Sequence, residues 1–159
     1  FEPYIIPQLL KQNTSEQNER IQNSLRDYFR DLNFPFIDAI NINTGEVFDV
    51  NDFKTDIVFC SQPYDAGLIK HRIHSIWNNV LFAYIPYCVN IELNPIFYTG
   101  LYLNICWKYF CTFQLNKEYE SKLLYNKGKN IVVTGHPLFE QIEKNRGKEI
   151  CHWKFGSSV

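Results

Sequence analysis

Three short segments join groups able to take or give a proton to residues that end strands: Ser61-Gln62-Pro63-Tyr64-Asp65, Pro86-Tyr87-Cys88-Val89-Asn90 and Gly135-His136-Pro137. Each follows an apolar run. A carboxylate such as Asp65, held at a helix start just past a buried strand, can accept the proton of a bound hydroxyl. It can equally cap the helix. His136 is the second base candidate, because imidazole as a class titrates near neutrality and the adjoining Gly135 lets a ligand approach the backbone. Its plain alternative is a turn histidine bonded to a carbonyl. Gln62, Tyr64, Tyr87, Asn90 and Gly135 are the candidate substrate contacts around these two groups.

Lys70, His71, Arg72 and His74 form a basic cluster in the stretch that follows. On a helix they make a solvated face that can steer a phosphorylated substrate or touch an anionic membrane surface. His71 and His74 stand three apart, but no acidic or thiol ligand joins them, so no metal site is expected. Ser61 lacks the flanking glycines of a nucleophile elbow, and neither a GxGxxG after the first strand nor a P-loop is present. Ordinary hydrolase chemistry is disfavoured, and no cofactor is expected. Cys60, Cys88, Cys106, Cys111 and Cys151 are odd in number with no close pair, which argues for buried, reduced thiols in a cytoplasm rather than disulfides or zinc.

The elements that must position these groups are legible in the hydrophobic pattern. Tyr4–Ile6 reads as a short strand, and Ile21, Leu25, Tyr28, Phe29 and Leu32 fall on one face of a helix capped by Thr14 or Ser15. Strands follow at Phe36–Ile42, Asp56–Cys60 and Val80–Ile85. The last two are continuous apolar runs, as in strands buried on both faces of a parallel sheet. A helix over Asp65–Asn78 supplies the crossover between them. Next come a helix near 95–107, a strand near 109–114, and a helix from an Asn116 cap to Tyr125 with Lys117, Glu118, Glu120 and Lys122 on its wet side. A strand at Ile131–Thr134 and a helix at Leu138–Lys144 complete the series, and Glu149–Trp153 is a further candidate strand. The alternation predicts an α/β, Rossmann-like three-layer sandwich with a mostly parallel sheet. Residues 1–142 form the domain, and 143–159 read as a hinge and the start or end of something more. In such sheets ligands bind beyond the carboxyl ends of the strands, so the three segments should share one rim.

The 159 residues suffice for one domain with a sizeable core, and 16% of them are aromatic. Sixteen Lys plus Arg against 17 Asp plus Glu is too balanced for nucleic-acid binding through the overall field. With no Met and a start inside an apolar run, the chain reads as a piece of a longer protein. Phe97, Tyr98, Tyr102, Trp107, Tyr109 and Phe110 are either core or an aromatic device for reaching a lipid-linked acceptor at the inner membrane face.

The segments Thr55–Asp65, Tyr84-Ile85-Pro86-Tyr87 and Val132–Phe139, spread over about residues 4–142, resemble the N-terminal half of CDP-glycerol glycerophosphotransferases and their GT-B-type glycosyltransferase relatives. The resemblance implies one half of a facing Rossmann-like pair. It places the nucleotide-activated donor mainly on a C-terminal domain and a polymer or lipid-linked acceptor on this one. The Trp-His-Gly segment such transferases often carry is absent, and His152-Trp153 reverses its order in the tail. A sugar therefore fits as well as glycerophosphate as the transferred group. A non-catalytic binding module for a partner or small anion is the competing expectation.

Overall fold

The computed structural model describes residues 2–62, 66–76, 78–89, 95 and 100–146. Four strands, β1 (Ile57–Cys60), β2 (Leu81–Tyr84), β3 (Lys108–Cys111) and β4 (Ile131–Val133), form one sheet in the order β1-β2-β3-β4, every pair parallel. The helices are α1 (Ser15–Asp31), α2 (Ile73–Ile76), α3 (Leu101–Ile105), α4 (Gln114–Leu123) and α5 (Pro137–Lys144). The molecule is thus α/β with a parallel sheet flanked by helices, the Rossmann-like class expected. The described strands follow one another in sequence order, so all four carboxyl ends lie along one rim. No helix among the described residues is long and apolar enough to cross a membrane.

Register decides which side chains meet. Phe82 and Tyr84 of β2, Tyr109 and Cys111 of β3 and Ile131 of β4 pack into one core with Ile73, Ile76, Leu103 and Leu124. Tyr84 and Tyr109 stack there at 5.2 Å. Ala83 looks out from the opposite face, paired with Phe59, and is 0% exposed because the Phe59 and Phe110 rings stack at 6.5 Å across the strand between them. The rest of that face is thinly covered among the described residues: Phe59 is 51% and Leu81 45% exposed.

Several sequence expectations are corrected. Tyr4–Ile6 and Phe36–Ile42 are not strands but isolated bridges, Ile5 with Phe36 and Ile40 with Val47. Pro3, Pro7 and Pro35 remove the backbone donors a longer ladder would need. Helix α1 begins where predicted, with Thr14 and Gln17 closing a reciprocal capping box. Its inward line, however, is Asn18 and Gln22, while Ile21, Tyr28 and Leu32 are exposed. The partner of α1 is the extended segment 36–40, which offers backbone groups as well as apolar surface. Gln22 answers them by donating from Nε2 to Ile40 O (2.9 Å) and accepting from Ile40 N (3.1 Å).

The predicted helix over Asp65–Asn78 is split into a 3-10 turn at Ile69–His71 and the single turn of α2, with Arg72 extended between them. Ala66 and Gly67 are already committed to the N-terminal segment, through Lys11 N donating to Ala66 O and the Leu10–Gly67 bridge. Asn116 does not cap α4, since the helix starts at Gln114 after Phe113 and buries Asn116 inside it. Glu120, expected on the wet side, is 0% exposed. Cys106 and Cys111 are buried, but Cys88 is exposed, and these and Cys60 are free thiols. The candidate strand Glu149–Trp153 and Cys151 lie outside the described residues.

Candidate functional site

The rim of the sheet carries a groove of about 240 Å³. All four strands contribute to it. Phe59 comes from β1, Ile85 and Pro86 follow β2, Phe110 and Thr112 come from β3 and its exit, and Thr134 to Pro137 join β4 to α5. The sequence builds the last of these locally. Gly135 has φ +80°, a conformation that L side chains resist, with open space around the position of a Cβ. His136 then caps α5, its Nδ1 accepting from Leu138 N at 3.2 Å, and Pro137 occupies the first helical position. A ring that accepts at Nδ1 carries its proton on Nε2. His136 therefore offers a donor to a ligand oxygen in this arrangement rather than a vacant base.

Of the residues singled out from the sequence, Gly135 and His136 line the groove. Tyr87 is 61% exposed, one residue beyond the lining Pro86. Gln62 is held on the loop after β1, its carbonyl accepting from Gln8 Nε2 at 2.7 Å, but it does not reach the groove. Tyr64, Asp65 and Asn90 lie outside the described residues. The rim rule thus brings segments after β2 and β4 together with β1, and leaves the proposed carboxylate beyond view.

The basic cluster serves the crossover. Lys70 pairs with Asp49 at 3.5 Å, whose carboxyl is held below the ordinary range chiefly by the Asn51 backbone N–H. His71 Nε2 lies 2.9 Å from Phe48 O, and burial pushes its pKa down, so the neutral ring donates there. Arg72 Nε donates to Gly67 O at 3.0 Å, and His74 is exposed. Among the described residues no group of three or more His, Cys, Asp or Glu is placed to hold a metal ion.

Sequence reasoning missed Phe59 and Thr112, and named Phe110 only among the aromatics that were either core or a membrane-interface device. Thr112 was reachable, because it is the first residue past β3 and the rim rule applies to every strand of the sheet. A second omission lies in the core, away from the groove. Burial pushes the Glu120 carboxyl up to about 7, against the pull of the Tyr109 hydroxyl that donates to its Oε1 at 3.1 Å. Tyr109 is pushed up by the same burial and by Glu120, and Cys111 rises to about 11, so neither shares the Glu120 titration range. Compared with known proteins, the chain matches no family model, no curated protein and no solved structure.

Proposed function

We propose that this chain is the acceptor-side domain of a cytoplasmic transferase similar to the CDP-glycerol glycerophosphotransferases. It would move a glycosyl or polyol-phosphate group from a nucleotide donor, held mainly by a second domain, to a cell-surface polymer or lipid-linked acceptor. The supporting observation is the groove at the carboxyl rim of the parallel sheet, where α/β folds of this class take their ligands. In this reading Asp65, three residues past Gln62 in the sequence, removes the proton of the acceptor hydroxyl. The acceptor oxygen bonds to the transferred group as the bond to the nucleotide breaks, and His136 Nε2 donates to an oxygen of the bound acceptor.

Asp65→Asn, in the protein carrying both domains, is expected to lower turnover by about two orders of magnitude with little loss of stability. Radiolabelled cytidine and uridine donors with a lipid-linked acceptor would measure it, and near-normal turnover removes Asp65 from the chemistry. The competing reading, a binding module without catalysis, draws on the fact that no carboxylate among the described residues lines the groove. Ligand binding without transfer from any such donor would decide for it.

A further inference from the structure

We infer that the groove is a subsite for a monocyclic phosphate ester, with the phosphate at the β4–α5 end and the ring on the Phe59–Phe110 pair. Thr112 carries the inference. The residue lines the groove and is only 7% exposed, and among the described residues its hydroxyl has no hydrogen-bond partner. That hydroxyl is left available to bond an oxygen that a ligand brings into the groove.

Three further observations select the chemistry. The Gly135 and His136 backbone N–H groups donate to no carbonyl among the described residues, and His136 adds its Nε2–H beside the N-terminus of the eight-residue α5. Donors gathered at a helix start, with no described carboxylate in the lining, favour an oxyanion. The opposite wall is carbon: Ile85, Pro86 and the stacked Phe59 and Phe110 rings. That wall suits the flat face of a ring. A volume of about 240 Å³ falls below the roughly 300–1,000 Å³ of sites for larger ligands, which suits one ring with its phosphate.

The inference deepens the transferase reading by naming what the acceptor-side groove holds, and it rests on that reading only for the place of the site. Phenyl phosphate, inorganic phosphate, glycerol 3-phosphate and phenol can each be titrated into this chain while the Gly135 and His136 amides are followed by NMR. Phenyl phosphate is expected to shift both amides and to bind at least about tenfold tighter than each of the other three. Thr112→Val should weaken phenyl phosphate about tenfold, and Phe59→Leu should remove its advantage over inorganic phosphate while leaving the latter unchanged. Unmoved strand amides in each variant would show that its fold persists. Silent Gly135 and His136 amides, phenol binding as well as phenyl phosphate, or an unaffected Thr112→Val would each overturn the inference. Binding without transfer activity would remove the transferase reading and leave the subsite standing, and transfer activity with silent amides would do the reverse.

Discussion

Replacing Glu120 by Gln is expected to stabilise the protein by about 3 kcal/mol at pH 8 and to leave it nearly unchanged at pH 4. The carboxyl is 0% exposed, one oxygen accepts from Tyr109, and the other, Oε2, has no hydrogen-bond partner. Its native pKa is raised from 4.5 to about 7. Between those values the folded chain keeps a proton that the unfolded chain has released. Unfolding is then favoured as pH rises, and the stability present below pH 4.5 is lost by pH 7, with no further change above. A 2.5-unit difference corresponds to about 3 kcal/mol at about 1.4 kcal/mol per unit. Gln keeps the shape and an acceptor for the Tyr109 hydroxyl but cannot ionise. Urea unfolding at pH 4, 5, 6, 7 and 8 measures the outcome, and a wild-type curve flat across that range, or a variant as steep as the wild type, contradicts it.

The same residue shows where the sequence stops being informative. A Glu within a polar stretch reads as solvated, and only the register of β3 reveals that the Tyr109 hydroxyl waits beneath it. By contrast, β1, β2 and β4 announce themselves, because strands of a parallel sheet need continuous apolar runs and the runs are there. Their shared direction made the rim, and with it Gly135 and His136, legible. The 65–78 crossover was misjudged for a tertiary reason. Apolar spacing allowed a helix, but pairing of Gly67 with Leu10 and the tie of Arg72 to Gly67 O overrode it. The stacking of Phe59 on Phe110 was beyond sequence altogether. It depends on Ala83 lying between them, a relation set by pairing across three strands.

Gln22→Leu is expected to cost about 3 kcal/mol although it preserves side-chain size and adds apolar surface. Gln22 is 0% exposed, and its amide engages both the N–H and the C=O of Ile40, imitating a neighbouring strand. Leucine leaves two backbone groups facing carbon, and each unsatisfied buried group costs roughly 1–3 kcal/mol. The effect should travel toward the rim. Segment 36–40 is bridged through Phe36 to Ile5, and the N-terminal arm beyond Ile5 holds the β1 exit loop by Gln8 to Gln62 O and Lys11 N to Ala66 O. Loosening Ile40 therefore loosens the support of Gln62 and Ala66 beyond β1. Native-state hydrogen exchange should report faster exchange at Ile40, Ile37 and Lys11, with the amides of β2 and β3 protected to the new, lower global limit. If Gln22→Leu costs less than about 0.5 kcal/mol, the pairing with Ile40 is not what fixes the segment. If it costs the full amount but Lys11 exchanges as before, α1 and the rim are energetically separate, and the N-terminal arm holds the exit loop without help from the helix.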